Sequence, residues 1–286
     1  MKLFVYHHTT YRYARQVEFL PHRMILRPRG NHQVGVLASS IVCSPVPDFD
    51  WSEDVFGNLI ATCTFREPSS ELSVVSELTI EQTAAAWPVF RIAPEAHSFP
   101  FNYSGDDMVD LAMLRGPLHV DPEGKTGKWA KAFVRGATTD TLSLLKDINA
   151  GILGSVAYRV RDEEGTQTPL ETLALGSGSC RDIAALFIEA VRYLGFGARA
   201  VSGYLLDPEQ RADDPGSTHA WVEVYLPGAG WIAFDPTHRR LGSASLIPVA
   251  VARDNRQIMP IVGGYIGAPG DFIAMDVTVR VTPASS

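Results

Sequence analysis

Residues 180–194 have the spacing of an amphipathic helix, and this segment restricts the possible folds more strongly than the rest of the chain. Its apolar residues recur every three or four positions and share one helical face; they are Ile183, Leu186, Phe187, Ala190, Val191 and Leu194. Gly195 and Gly197 follow directly, and glycine is typical of the position where a helix ends. The sequence therefore predicts a helix that begins near Cys180 and ends at Gly195.

A glycine-rich segment, residues 176–179, leads into this helix and places Cys180 in its first turn. Backbone N–H groups without partners and the positive end of the helix dipole favour a thiolate over a thiol at that position. The glycines allow a sharp turn and the close approach of a substrate carbonyl. This arrangement is typical of a cysteine nucleophile.

An alternating strand and its hairpin partner follow, and they carry a histidine and an aspartate. His219 begins the first strand, residues 227–230 form the turn, and Asp235 ends the second strand. If Tyr225 lies opposite Trp231, both polar residues share one face of the hairpin. We therefore expect the Asp235 carboxylate to reach the His219 ring and to leave the other ring nitrogen facing the cysteine.

Together these residues predict a Cys–His–Asp catalytic site. Imidazole can take a proton from the thiol and later protonate a leaving amine, and a carboxylate holds it in the productive tautomer. Each residue alone has an ordinary structural explanation, for instance a turn position for an aspartate before proline. The combination of Cys180, His219 and Asp235 in this order favours catalysis.

Several motifs resemble the bacterial transglutaminase-like superfamily, of the cysteine peptidase type that carries a transglutaminase-like N-terminal domain. They are residues 165–173, 176–182, 198–205, 219–227 and 230–237, with His7, Thr9, Tyr11, Tyr13 and residues 21–28 in the N-terminal part. The resemblance implies that Cys180 is the nucleophile, His219 the general base and Asp235 the orienting acid. It also implies a papain-like core, in which a helix packs on an antiparallel sheet.

The activity implied is hydrolysis of a peptide, isopeptide or related amide bond through an acyl-thioester intermediate. The expected partner is a peptide or protein substrate. Water is the default acyl acceptor, because the sequence does not identify a pocket for a second amine. Two alternatives stay open: a protein-glutamine acyltransferase, and a non-catalytic binding module that retains the fold.

Residues 1–90 read as short strands separated by turns, with β-like runs at 3–13, 34–43, 58–65 and 71–80. We interpret them as an antiparallel β-sandwich, so the fold class is α+β. Residues 91–140 are predicted as a connecting helical region, with helical spacing at 129–134. Residues 141–286 are predicted as the catalytic core, and their last β-like runs could complete a sheet of either domain.

Further candidates surround the proposed triad. Gln167, with the backbone N–H of Cys180, could stabilise an oxyanion, or it could serve a structural turn. Trp221 and Trp231 could wall the substrate cleft or simply pack. His238 is interpreted as an ordinary surface residue.

We expect neither a metal nor a cofactor. An acidic loop with Asp207, Glu209, Asp213 and Asp214 lacks the spacing of a calcium site and reads as solvated. Cys43 and Cys63 lie in apolar runs and are predicted to be buried as small hydrophobic residues.

Charge and hydropathy exclude other classes of function. A net charge of −7 offers no basic surface for nucleic acid. The sequence has neither a signal-peptide core nor the roughly 20 apolar residues of a membrane span, so we expect a cytoplasmic protein without membrane contact. The sequence leaves the oligomeric state open.

Overall fold

The chain folds into antiparallel sheets and helices, which confirms the predicted α+β class. The computed structural model describes residues 1–161, 163–207, 216 and 218–284. The first strands are β1 (Lys2–Phe19), β2 (His22–Met24), β3 (Val34–Ser44), β4 (Asp48–Glu53), β5 (Leu59–Thr64) and β6 (Ser69–Gln82).

These six strands form the predicted N-terminal sandwich. β1 and β3 flank β6 in one sheet, while β2 and β4 flank β5 in the other. Inward-facing apolar residues of both sheets fill the space between them. Cys43 and Cys63 belong to this core and are 4% and 0% exposed, so the prediction that they are buried is confirmed.

Short elements connect the sandwich to the second half of the chain. They are β7 (Ser98–Phe99), α1 (Gly105–Asp110), α2 (Ala112–Arg115), α3 (Lys125–Lys131), β8 (Thr139–Asp140), α4 (Thr141–Gly151) and β9 (Ala157–Tyr158). The carboxylate of Asp140 accepts a hydrogen bond from the backbone N–H of Ser143 and so caps α4. Turns of 3-10 helix lie at Pro94–Ala96, Ile152–Gly154 and Asn255–Gln257.

A helix packed on an antiparallel sheet forms the second half. Its elements are α5 (Pro169–Leu175), β10 (Ser177–Gly178), α6 (Cys180–Tyr193), β11 (Gly197–Leu205), β12 (His219–Leu226), β13 (Gly230–Asp235), β14 (Arg240–Leu241) and β15 (Leu246–Ala252). The strand order is β14-β13-β12-β11-β15. The apolar face of α6 packs on this sheet, where the rings of Phe187 and Phe234 stack 5.6 Å apart. This is the core that the resemblance implies.

The C-terminal strands, whose partner sheet the sequence left open, pair with the N-terminal sandwich. They are β16 (Ile261–Val262), β17 (Tyr265–Ile266) and β18 (Phe272–Pro283). β16 pairs with β2, while β17 and β18 pair with β1, so that β18 covers the β1 edge opposite β6. The two ends of the chain thus share one sheet. The domain limits near residues 90 and 140 stay predictions.

Among the described residues, no helix is both long and apolar enough to cross a membrane. The cytoplasmic location stays a prediction. Of the acidic loop interpreted from the sequence as solvated, Glu209, Asp213 and Asp214 lie outside the described residues.

Candidate active site

Cys180 is the first residue of α6 and follows the N-cap residue Ser179. The Asp182 carboxylate accepts hydrogen bonds from the Ser179 backbone N–H at 2.8 Å and from its hydroxyl at 2.7 Å. A Cβ on Gly178 would lie 2.8 Å from the Asp182 Cβ, so glycine is required where the chain enters the helix. The cysteine is therefore held at the helix N-terminus by a fixed turn.

The same Asp182 carboxylate ties a preceding loop to this turn. Asp182 is fully buried. Its oxygens accept from Arg161 Nε at 2.9 Å and from the Gln167 backbone N–H at 2.7 Å. Residues 161 and 167 are thereby fixed beside Cys180. The contact between Arg161 and Asp182 spans 21 residues without a periodic pattern, so the sequence gives no signal for it.

His219 and Asp235 meet across the β12–β13 hairpin. His219 is the first residue of β12 and Asp235 the last of β13. The predicted register, with Tyr225 opposite Trp231, is confirmed. His219 Nε2 donates to Asp235 Oδ2 at 2.9 Å, and both side chains are buried. The carboxylate can therefore hold the imidazole in one tautomer and orientation.

The Cys180 thiol lies beside the His219 imidazole and the backbone N–H of Ala220, and both favour its thiolate. Since His219 Nε2 is engaged by Asp235, Nδ1 is the ring nitrogen available to the sulfur. Burial opposes ionisation of the thiol, but the hydrogen bond and charge of His219 outweigh it and lower the pKa of Cys180. The structure thus brings the three predicted side chains together, while their catalytic roles stay a prediction.

The pKa values of the two partners shift in complementary directions. Burial disfavours the imidazolium, yet hydrogen bonds to Asp235 and Cys180 raise the pKa of His219 to about 10. Burial likewise opposes the Asp235 carboxylate, but His219 and His238 hold the pKa of that carboxyl well below its usual range. Both shifts act in the direction of a thiolate beside an imidazolium, which is the reactive form of a cysteine nucleophile.

His238 is exposed, as the sequence interpretation has it, but it also contacts the site. Its Nδ1 donates to Asp235 Oδ2 at 2.9 Å, and its backbone N–H donates to Asp235 Oδ1 at 3.3 Å. The turn after β13 brings it back over the carboxylate, and its ring centroid lies 5.1 Å from that of His219. The sequence signal for this contact is that His238, a polar residue, follows Asp235 by only three positions, which is close enough for a turn to bring the two side chains together.

His219, Asp235 and His238 also offer ligand atoms that all lie within 4.8 Å of one another. Such a set could in principle hold a metal ion. The two separations of 2.9 Å from the shared carboxylate oxygen are those of hydrogen bonds. We therefore interpret the cluster as a hydrogen-bonded chain, and the absence of a metal stays a prediction.

Gln167 lies beside the turn that leads to Cys180. Its Oε1 accepts from the Thr172 hydroxyl at 3.2 Å and would lie 3.2 Å from a Cβ on Gly178. With the oxygen engaged in this way, the amide nitrogen is left to donate elsewhere. This placement is compatible with the proposed oxyanion contact.

The two tryptophans share one face of the sheet but differ in surroundings. Trp221 is 1% exposed and packs with Val201, Ala233 and Leu246, so it is a core residue beside the His219 ring. Trp231 instead lines a cavity of about 610 Å³ at the other end of the hairpin. The structure therefore brings only Trp231 to an open cavity.

Tyr158 is an exposed residue near the cysteine that the sequence analysis missed. It pairs with Gly178 in the short parallel contact between β9 and β10. Burial, followed by the charge of Cys180, raises the pKa of Tyr158. Tyr158 therefore lies within electrostatic range of Cys180.

Family comparisons cover both halves of the chain. Residues 127–236 match the family model of the transglutaminase-like superfamily. Residues 3–81 match that of the bacterial transglutaminase-like N-terminal region. The first match contains Cys180, His219 and Asp235.

Similar proteins are found in mycobacteria. An uncharacterized protein of Mycobacterium tuberculosis is 26% identical over 98% of this chain and 92% of its own length. One of Mycobacterium leprae is 27% identical over 97% of each chain. The crystal structure of a candidate cysteine protease from Cytophaga hutchinsonii covers 100% of this chain and 92% of its own, with a TM-score of 0.76 and 19% identity. That similarity shows a shared fold.

Proposed function

Since this chain belongs to the transglutaminase-like superfamily, we propose that it is a cysteine-nucleophile hydrolase of peptide, isopeptide or related amide bonds. The observation that carries the proposal is the position of His219, whose Nε2 donates to Asp235 at 2.9 Å and whose imidazole lowers the pKa of Cys180. The lowered pKa of the thiol and the raised pKa of the imidazole are the directions that favour a thiolate beside an imidazolium.

The first half-reaction forms the acyl-enzyme. The Cys180 thiolate attacks the substrate carbonyl carbon, and the carbonyl electron pair moves to the oxygen to give a tetrahedral oxyanion. When the oxyanion collapses, the carbon–nitrogen bond breaks, and the proton on His219 Nδ1 passes to the leaving amine. The product of this step is a thioester on Cys180 and a free amine.

Two donors are placed to stabilise the oxyanion. A helix leaves its first backbone N–H groups without intrahelical acceptors, and Cys180 is the first residue of α6. Gln167 supplies a side-chain amide from the loop that Asp182 holds in place. Such donors act more strongly on the developing charge than on the neutral carbonyl, and this difference accelerates the reaction.

The second half-reaction hydrolyses the thioester. Neutral His219 removes a proton from water, and the resulting hydroxide adds to the thioester carbonyl. The carbon–sulfur bond then breaks, which releases a carboxylic acid and restores the thiolate and the imidazolium. Asp235 remains ionised throughout and stabilises the imidazolium in both halves of the cycle.

Product analysis with a γ-glutamyl-ε-lysine isopeptide and Gln-containing peptides tests the proposal. Each substrate is incubated with the native protein, with Cys180→Ala and with the control Cys43→Ala, in the presence and absence of a labelled primary amine. We expect free acid from the native protein and from Cys43→Ala, but not from Cys180→Ala.

The other outcomes of this experiment contradict hydrolysis. A labelled amide as the main product would make the protein an acyltransferase, because both reactions pass through the same thioester. Absence of product from all substrates would favour a binding module that retains the fold.

A further inference from the structure

The cavity that Trp231 lines, which we call the strap groove, lies on the face of the sheet opposite α6. Its floor is formed by Arg199 of β11, Glu223 of β12, Trp231 of β13 and residues 248–251 of β15, and the volume is about 610 Å³. One wall is lined by Ala84, Ala85 and residues 88–91. We call the segment 84–91 the strap. A cavity of this size is within the range of ligand sites.

Glycines let the strap lie close to the loops of the sheet. The Ala93 backbone N–H donates to the Pro227 carbonyl at 2.8 Å. A Cβ on Gly228 would lie 2.7 Å from the Arg91 carbonyl oxygen, and both Gly228 and Gly242 have positive φ. The strap is therefore seated at defined points, and the groove beneath it is a fixed feature of the fold.

The groove carries an excess of positive charge. Arg199 is paired with Glu223 at 2.7 Å and lies 4.1 Å from the centre of the Trp231 ring, so these two charges compensate each other. Arg29 and Arg91 also line the groove, and neither has a carboxylate partner among the described residues. Two arginines that have no carboxylate partner among the described residues thus line one cavity of a chain whose net charge is −7.

The rim adds an apolar contact. Val89, which lines the groove, is 90% exposed, and Trp87, two residues before it on the strap, is 91% exposed. Large apolar side chains that are exposed beside a cavity are typical of interaction sites. A ligand that combines carboxylates with an apolar side chain matches both features.

The dimensions of the groove favour a short extended segment. Its floor crosses four adjacent strands, and three inter-strand spacings correspond to about 14 Å. An extended chain covers this distance with about four residues. We propose that the strap groove binds a short acidic peptide segment, with carboxylates on Arg29 and Arg91 and an apolar side chain near Val89.

The position of the groove suggests its use. Ala233 lines the groove and lies two residues before Asp235 on the same face of β13, about 7 Å along the strand. The groove could therefore hold an acidic segment of the protein whose amide bond is cleaved. That use rests on the proposed function, whereas peptide binding does not.

Fluorescence anisotropy on the full chain with Cys180→Ala, which removes the nucleophile, tests the binding. The probes are a labelled peptide with glutamates around one leucine and the same peptide with glutamines. We expect the acidic peptide to bind at least about tenfold more tightly and to weaken as salt rises. The double change Arg29→Glu and Arg91→Glu should lower its affinity at least about tenfold. Arg66→Glu is the matched control, because Arg66 is an exposed arginine that pairs with Asp48 of β4. This change should alter the affinity less than about twofold.

Four results would overturn the proposal. They are equal binding of the glutamine peptide, an equal loss in Arg66→Glu, displacement of the acidic peptide by a single-stranded oligonucleotide at lower concentration, and no peptide binding at all. Retained binding in a protein whose Cys180 proves unreactive would separate failure of the proposed hydrolase from failure of this inference.

Discussion

His238 Nδ1 donates to Asp235 Oδ2 at 2.9 Å, and this is the same oxygen that accepts from His219 Nε2. The orienting carboxylate of the proposed triad is thus itself oriented by a second imidazole. Two donors at one oxygen restrict the position of the carboxylate more than one donor does, and this position determines the direction of the His219 ring.

Replacement of His238 should slow the chemistry without unfolding the protein. Loss of one hydrogen bond of about 1 kcal/mol predicts an approximately fivefold lower rate of Cys180 alkylation in His238→Ala. His238→Asn can place an amide N–H near the position of Nδ1 and should restore most of the rate. Iodoacetamide kinetics followed by mass spectrometry measure both variants. Equal rates in all three proteins would mean that His238 does not position the site.

Gln167→Ala should separate oxyanion stabilisation from thiolate reactivity. Acylation by a p-nitrophenyl ester passes through an oxyanion, so its rate should fall about 10²-fold, as for the loss of one oxyanion donor. Alkylation by iodoacetamide has no such intermediate and should change less than about twofold. Stopped-flow absorbance and alkylation kinetics give the two rates. A parallel fall in both would indicate that Gln167 supports the loop instead.

Asp182→Ala should destabilise the fold strongly. It removes a fully buried carboxylate and leaves Arg161, 18% exposed, with only the exposed Glu163 as a carboxylate partner. We expect the free energy of unfolding to fall by about 3 kcal/mol. Asp147→Ala removes the exposed partner of Arg135 and should cost less than about 1 kcal/mol. Urea unfolding followed by circular dichroism measures both free energies. A loss below about 1 kcal/mol in Asp182→Ala would contradict the role of this residue in holding the loop.

Cys180 should still be alkylated at pH values at which an ordinary thiol is protonated and unreactive. The lowered pKa of the thiol means that thiolate is present as pH falls, until the folded-state value is passed. The pKa of His219, about 10, means that imidazolium is lost only as pH rises through that value, and ester hydrolysis should decline there. His219→Ala should move the alkylation midpoint upward by more than about one pH unit. An unchanged profile would exclude the thiolate–imidazolium pair.

The relation between His219 and Asp235 could be predicted because it depends on local patterns. Alternation fixes which residues share a face, and the turn at 227–230 fixes the register, so Tyr225 opposite Trp231 followed from the sequence. The helix at 180–193 was predictable for the same reason, since its apolar spacing and Gly195 lie within one short segment.

Contacts between distant segments could not be predicted in this way. Arg161 reaches Asp182 through an irregular loop, and His238 reaches Asp235 through a turn whose path has no periodic signal. The strand that pairs with β18 could not be predicted. Alternation shows which residues share a face of a strand, but it does not show to which sheet edge the strand will pair. Trp221 and Trp231 share a face, and their different burial depends on what lies over the sheet.

Trapping of the acyl-enzyme tests the central proposal most directly. The native protein is mixed with a p-nitrophenyl ester, quenched with acid within its first turnover, and digested for peptide mass spectrometry. The account predicts one acyl group on Cys180 that hydroxylamine removes, and its absence in Cys180→Ala together with loss of ester hydrolysis. An acyl group on Cys43 or Cys63, or undiminished hydrolysis in Cys180→Ala, would contradict it.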